Sequence, residues 1–216
     1  MPRQVDAAAR RQRIADAVCR LAAKDGLEGV SVRHVAAEAG VSLGQVQHYF
    51  RSKDEMLLFA SNTVRARAEQ RVRRSVAALE SRSQLTARDG LRTLLTAMIP
   101  GDEESRFEAP LQVAFAARAV VRSALAEPLR GSLADLAGYM TSLLVSARER
   151  GEIPGEVDPE REAMVLLALA DGLVVRVLLD PGLATAAVAA LDYHLDRVFA
   201  GGPPAPTGAG TAEPRD

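Results

Sequence analysis

Two glutamines, a histidine, a tyrosine and a lysine lie within nine residues of this chain, and all are side-chain types that recognise nucleic acid. A glutamine can pair with two positions on the major-groove edge of adenine, and each good bidentate contact gives roughly 1–3 kcal/mol of discrimination. Tyrosine and histidine suit sugar-phosphate oxygens, which set register without reading sequence. The residues are Gln45, Gln47, His48, Tyr49 and Lys53. Their types predict a segment that reads bases and binds the DNA backbone.

A capped helix is predicted to present these side chains. Ser42 and Gln45 have the spacing of a capping box, so a helix begins directly after Ser42. Val46 and Phe50 point inward at i and i+4, which leaves the polar side chains outward. Gly44 carries no side chain, so the start of this helix can lie close to bases.

Further caps are predicted on either side of this helix. Ser31 opens an earlier helix, which ends at Gly40, where a left-handed residue is cheap only for glycine. Ala36 is small enough for the two helices to cross closely, and Ser52 with Glu55 forms another S-x-x-E box. Two short helices around a sharp turn are typical of a DNA-reading helix-turn-helix. The alternative is an ordinary helical corner in a larger α-helical protein.

Residues 10 to 60 resemble the TetR family of bacterial transcriptional regulators. The resemblance rests on Ala36, Gly40, Val41 and Val46, and on HYF followed by a basic residue and K-D-E-M. It implies that Tyr49 and Lys53 touch phosphates and that the start of the third helix reads bases. The candidate DNA-binding residues are Arg33, Ser42, Gly44, Gln45, Gln47, His48, Tyr49 and Lys53.

Charge is unevenly distributed along the 216 residues, although the formal net charge is −1. Residues 1–53 hold nine Lys or Arg and five Asp or Glu, a net charge of +4, whereas the remainder holds 18 and 23, a net charge of −5. This split indicates a localised nucleic-acid footprint. Residues 1–8 are expected to form an arm, and Arg3, Arg10, Arg11 and Arg13 could follow the DNA backbone. The alternative is a merely solvated arm.

Several other classes of protein are not indicated. Cys19 is the only cysteine, which excludes an internal disulfide and fits a reducing cytosol. The three histidines have no partner at ligand spacing, so neither a metal nor a cofactor is expected. No Ser-His-Asp, Cys-His or glycine-rich phosphate motif is present, so we do not expect an enzyme. The apolar residues 166–179 are too short for a membrane span, and we expect a cytoplasmic protein.

Helical periodicity continues through the rest of the chain, with no competing β-rich pattern. The first helix is expected over about 9–25 and the fourth over 53–79. The sixth is expected over 104–125, the seventh over 127–150 and the ninth over 183–199. The sequence therefore predicts an all-α protein of about nine helices. It comprises an N-terminal three-helix helix-turn-helix DNA-binding domain (1–52), a C-terminal helical ligand-binding and dimerisation domain (53–200) and a disordered tail (201–216).

Apolar stripes on the fifth to seventh helices have two interpretations. Core packing explains most positions, whereas the family resemblance implies that helices 4 to 7 enclose a ligand cavity. The candidate pocket residues are Met98, Phe107, Leu111, Phe115, Arg118, Leu136 and Met140. They favour a largely apolar effector. Arg118 with Arg122 could neutralise an acidic effector, and the alternative is a pair of solvated arginines at a helix end.

The eighth helix, which begins after Asp158-Pro159, is apolar nearly all round in its later part. One side can face its own domain, and the other needs a partner, so helices 8 and 9 suit a symmetric four-helix dimer interface. Asp171 and Arg176 could pair across Gly172. The candidate interface residues are Leu167, Asp171, Gly172, Val175, Leu191 and Leu195.

These features together predict a ligand-responsive transcriptional regulator, a repressor that binds a palindromic double-stranded DNA operator as a homodimer. A small effector entering between helices 4 and 7 would tilt helix 4 and lower the affinity for DNA. The alternatives are an α-helical enzyme that merely contains such a corner, and a helical adaptor that binds only protein. An adaptor would explain helices 8 and 9 but not the basic front of the chain.

Overall fold

The computed structural model describes residues 2–80 and 86–200, and within these ranges it contains nine α-helices and no strand. The helices are α1 (Pro2–Gly29), α2 (Val32–Ala39), α3 (Leu43–Tyr49), α4 (Lys53–Glu80), α5 (Ala87–Met98), α6 (Glu103–Val121), α7 (Ser123–Glu149), α8 (Pro159–Leu179) and α9 (Ala184–Phe199). A single 3-10 turn, Pro181–Leu183, precedes α9. The all-α prediction is confirmed. The predicted tail, 201–216, lies outside the described residues.

The first helix is longer than the sequence analysis predicts. It begins at Pro2 instead of near residue 9, so the prediction of an arm over residues 1–8 is wrong for residues 2–8. Proline is tolerated in the first turn of a helix, and the alanines, arginines and glutamine that follow are good helix formers. The helix is interrupted at Gly26, where φ is 70°, before its last turn.

Side-chain caps start three of the later helices, including α8, which the sequence predicts to begin after Asp158-Pro159. Thr86 and Asp89 form a capping box at α5, and Asp102 accepts from the Ser105 N–H at 2.7 Å to start α6. Asp158 caps α8 directly before Pro159. The acidic residues Asp102, Glu103 and Glu104 thus interact favourably with the unpaired N–H groups at the start of α6.

The helices bury two separate hydrophobic cores. The first lies among α1, α2, α3 and the first half of α4, and α6 completes it with Leu111 and Phe115. The second lies among α5, α7, α8 and α9, around Leu91, Met140 and Leu166. We call the part around the first core the head and the part around the second core the body. Val72 of α4 packs against the second core, and α6 contacts α7 and α8, so both α4 and α6 connect the head to the body.

Candidate nucleic-acid interface

The turn between α2 and α3 has the backbone geometry that the sequence predicts. Ser31 accepts from the His34 N–H at 3.2 Å and starts α2. Gly40 ends that helix with a φ of 65°, and its N–H donates to the carbonyls of Ala36 and Ala37. Ala36 is 5% exposed in the head core. A residue with a side chain would be strained at Gly40, so glycine is what allows the sharp turn into α3.

A complete capping box starts α3. Ser42 Oγ accepts from the Gln45 N–H at 3.2 Å, and Gln45 Oε1 accepts from the Ser42 N–H at 3.0 Å. Bidentate pairing with adenine needs both the oxygen and the nitrogen of the amide. The cap already engages the Gln45 oxygen, so Gln47 is the glutamine whose whole amide is free for a base.

The outer face of α3 is polar and accessible. Val46 is fully buried and Phe50 is 4% exposed, and together they fix the inner face of the helix. Gln47 and His48 are exposed, and Tyr49 is half-buried with its ring edge-on to that of His48. A Cβ at Gly44 would lie 3.9 Å from the nearest side chain, Ser42, so the protein's own packing does not require glycine there.

Two cations flank α3 along the chain. Arg33 is exposed on α2, and Lys53 is the first residue of α4. In the described structure neither side chain forms an ion pair within 4.0 Å. The start of α4 differs slightly from the predicted box, because Glu55 accepts from the Arg51 N–H at 2.7 Å instead of from Ser52. Ser52 still accepts from the Glu55 N–H at 3.0 Å.

Two of the basic residues assigned to the DNA backbone make internal contacts instead. The Arg11 guanidinium lies over the rings of Phe50 and Phe59, 5.1 Å and 4.6 Å from their centroids. Arg13 donates to the Ala39 carbonyl at 3.2 Å. Both contacts hold α1 against the end of α2 or α3. Sequence reasoning missed this role, because it depends on a helix crossing that no local pattern encodes.

The seven candidate pocket residues lie in several environments and do not line one space. Leu111 and Phe115 pack in the head core, whereas Met140 is fully buried in the body core with Met98 and Leu136 partly buried against it. Phe107 is 41% exposed.

Arg118, the remaining pocket candidate, is neither solvated nor free. Its side chain is 17% exposed and contacts Glu28 at 3.0 Å and Asp54 at 3.6 Å. Two carboxylates of the head therefore already neutralise it. The interpretation of Arg118 as a solvated arginine is wrong.

The dimer candidates also divide into two groups. Leu191 and Leu195 are fully buried in the body core, so they stabilise α9 from within and do not face a partner. Asp171, Gly172 and Val175 are exposed, and Leu167 is partly buried. Within the described chain Asp171 and Arg176 do not form the ion pair considered above. Asp171 is exposed as a whole residue, yet its carboxyl group is partly withdrawn from water, and this desolvation raises its pKa.

Sequence reasoning named Val175 but missed the other large exposed apolar side chains on α8 and α9. On α8, Met164, Val165, Val175 and Leu179 are 72%, 47%, 42% and 81% exposed, and Tyr193 on α9 is 64% exposed. The nearly continuous apolar pattern of α8 was the available signal, but it could not show which of its residues face outward.

Cys19 is a packed thiol, as its position on α1 predicts. It is 1% exposed, and burial raises its pKa to about 11. No three His, Cys, Asp or Glu side chains of residues 2–80 and 86–200 come together as metal ligands would. In the same ranges, none of the helices has the length and apolar character needed to span a membrane.

Two family descriptions match this chain. Residues 14–59 match "Bacterial regulatory proteins, tetR family", and residues 87–200 match "BetI-type transcriptional repressor, C-terminal". The first covers the helix-turn-helix, and the second covers the body from α5 to the end of α9.

Known proteins support the same assignment over most of the chain. The HTH-type transcriptional regulator PksA of Bacillus subtilis is 33% identical over 181 residues, which are 84% of each chain. A transcriptional regulator from Rhodococcus superposes with a TM-score of 0.78 at 32% identity, covering 91% of this chain and 99% of the other. A regulator from Saccharomonospora viridis, solved in complex with choline, shares the fold with a TM-score of 0.71 at 24% identity, covering 87% and 93%. The chain belongs to the TetR family of bacterial transcriptional regulators.

Proposed function

We propose that this regulator is a cytoplasmic repressor, which binds a palindromic operator as a homodimer and is released by a small, largely apolar effector. The observation that carries the proposal is the outer face of α3. There Gln47, His48 and Gly44 are exposed on a helix that a capping box and two buried side chains hold rigidly. Rigid presentation of an unpaired amide is what base reading requires.

Dimerisation is supported by the outer face of α8. A soluble monomer rarely exposes a large contiguous apolar patch, and Met164, Val175 and Leu179 expose much of their side chains on one helix. A second copy related by a two-fold axis would cover the same residues on both chains. Two heads would then read half-sites about one helical turn apart, roughly 34–36 Å.

An apolar effector is supported by the chemistry of the body core. Its buried members are aliphatic apart from Met140, and the aromatic side chain that packs against it is Phe199. The choline complex of the Saccharomonospora regulator raises the alternative of a quaternary ammonium ligand. Such cations are usually held by several aromatic rings, which this core does not supply. Aliphatic surroundings favour a hydrocarbon-rich effector.

Release requires that the effector bind the non-DNA-binding arrangement more tightly than the DNA-binding one. A coupling free energy of about 1–3 kcal/mol corresponds to a 5–150-fold change in operator affinity. Because α4 packs against both cores and α6 joins the head core to α7 and α8, an effector that spreads the body helices would also move the head.

The experiment is selection of bound duplexes from a random pool with the full-length protein, followed by binding at increasing salt. We expect an inverted repeat, and an affinity that falls steeply with salt while the sequence preference remains. Selection of an unrepeated site, or loss of all preference, would contradict the proposal. The effector is then sought by release of that duplex with a panel of apolar, acidic and quaternary ammonium compounds.

A further inference from the structure

A buried carboxylate lies where α6, which contacts α7 and α8 of the body, packs against α4. Glu108 on α6 is 2% exposed and forms an ion pair with Arg71 on α4, whose side chain is 13% exposed. A second arginine of α4, Arg67, lies 3.8 Å from the other oxygen of Glu108. A carboxylate withdrawn from water in this way is tolerated only while cations and donors surround it.

The ion pairs around Glu108 extend in both directions. Arg67 also contacts Asp16 on α1 at 2.6 Å, and Arg71 lies 3.8 Å from Glu104 on α6. The five side chains therefore alternate in charge from α1 through α4 to α6. Burial alone would lower the pKa of Arg67, but the hydrogen bond and charges of Asp16 and Glu108 raise it. Arg67 thus remains a cation, as this arrangement requires.

The rest of α6 docks on the head through the same face. Leu111 and Phe115 enter the head core, and Arg118 contacts Glu28 and Asp54 at the ends of α1 and α4. Glu108, Leu111, Phe115 and Arg118 follow one another at spacings of three, four and three, which places them on one stripe of the helix. Ion pairs thus fasten this stripe at both ends.

We propose that Glu108 is a positioning residue for operator binding, which sets the angle between head and body. Apolar contacts such as those of Leu111 tolerate small sliding, whereas an ion pair out of water loses its partner when the helices shift. Glu108 therefore fixes the register of α6 against α4. In the dimer proposed above, the same register fixes the distance between the two reading helices.

The angle is tested directly, without DNA, by the distance between two spin labels in one chain. Ala37→Cys on α2 and Glu149→Cys at the end of α7 are exposed positions on head and body, and the buried Cys19 stays in place. Labelled protein is diluted with unlabelled protein so that only intrachain distances are recorded. We expect a single narrow distribution, which Glu108→Gln broadens or splits. Unchanged distributions in a folded Glu108→Gln protein would overturn the proposal.

Two further variants separate positioning from general damage. Asp16→Asn weakens only the α1 end of the cluster, where the side chain is 32% exposed, and should broaden the distribution less. If Glu108→Gln does not fold, Asp16→Asn is the test instead, and an unchanged distance distribution in that variant would overturn the proposal. Glu127→Gln makes the same chemical change in an exposed ion pair with Arg130, within α7. The Glu127 side chain is 79% exposed, and this variant should leave the distance distribution unchanged. Equal broadening by Glu127→Gln would also overturn the proposal.

The consequence for DNA rests on the proposed function and is measured separately. The probes are the selected operator, the same operator with one base pair inserted between half-sites, and a single half-site. We expect Glu108→Gln to reduce the preference for the correct spacing at least fivefold, with half-site affinity within twofold of wild type. A preference that stays the same, or an equal loss on the half-site, would contradict the positioning role. The wild type could show no spacing preference while Glu108→Gln still broadens the label distances. That result would contradict the proposal of a palindromic operator but support the role of Glu108 in orienting the head.

Discussion

Gln47 is the side chain on which the sequence preference of this regulator should depend most. Its amide is exposed on α3, whereas the oxygen of Gln45 is engaged in the helix cap. Replacing Gln47 with alanine should lower the discrimination between the selected operator and single-base variants by roughly 1–3 kcal/mol at one position. Competition binding with a set of substituted operators measures this. Undiminished discrimination at every position would show that Gln47 does not read a base.

Lys53 provides the matched comparison at the same interface. It carries a positive charge at the start of α4 without an ion-pair partner in the described structure, as a phosphate contact would require. Lys53→Ala should weaken binding to all sequences alike and reduce the slope of log affinity against log salt by about one. A selective effect on one base would instead assign Lys53 to sequence reading.

Cys19 should make stability depend on pH in the alkaline range. Its pKa is about 11 in the folded protein, against 9.0 for an ordinary thiol, because burial disfavours the thiolate. Above pH 9 the unfolded chain loses this proton while the folded chain keeps it, so the contribution to stability falls from pH 9 to pH 11. The difference amounts to about 3 kcal/mol, because each pKa unit corresponds to roughly 1.4 kcal/mol. Urea unfolding measures the free energy of unfolding of wild type and of Cys19→Ala. The difference between the two should be constant below pH 9 and should become smaller from pH 9 to pH 11.

The turn between α2 and α3 depends on one backbone conformation. Gly40 has a φ of 65°, and a Cβ there would meet only Arg13 at 3.9 Å, so the effect of Gly40→Ala is almost purely conformational. It should destabilise the protein by about 1–2 kcal/mol. The control is Gly138→Ala in α7, where a Cβ has open space and helical geometry, and which should stabilise by about 0.5–1 kcal/mol. Urea unfolding measures the change in the free energy of unfolding for both variants. If both changes had the same sign, the conformational role of Gly40 in the turn would be refuted.

The helices whose ends are set by nearby residues were predictable from the sequence. Which helices pack against one another was not. The caps of α2, α3 and α8 depend on residues within four positions, and each lies where the sequence predicts it. The stripe on α6 was also visible, but Leu111 and Phe115 belong to the head core and not to a pocket. An apolar stripe shows that a face is buried without showing which helix buries it.

At the scale of the whole molecule, α8 is predicted to hold the dimer together. Val175 is 42% exposed on that helix, so Val175→Glu would place a charge inside the proposed interface while leaving the folded chain intact. Sedimentation should show the dimer replaced by monomer at micromolar concentration. Val120→Glu, at an 86% exposed position on α6, is the control and should remain dimeric. A Val175→Glu dimer as strong as the wild type would place the interface elsewhere.

The effector is a second property of the whole molecule. Because the body core is built from aliphatic side chains, choline should not release the operator at concentrations where apolar compounds do. Operator release measured by fluorescence anisotropy, with choline and an uncharged apolar compound of similar size, distinguishes the two. Release by choline alone would contradict an apolar effector.

The sequence by itself determined the helices, the turn at Gly40 and the outward face of α3, since hydroxyl caps, glycine and helical periodicity act over a few neighbouring residues. Only the tertiary structure decided that Arg11 stacks on two phenylalanines and that Leu191 faces inward. It also decided that Glu108 meets the arginines of α4. These contacts join residues tens of positions apart, and their geometry depends on how whole helices cross. The same crossings connect the head that binds DNA to the body proposed to bind the effector.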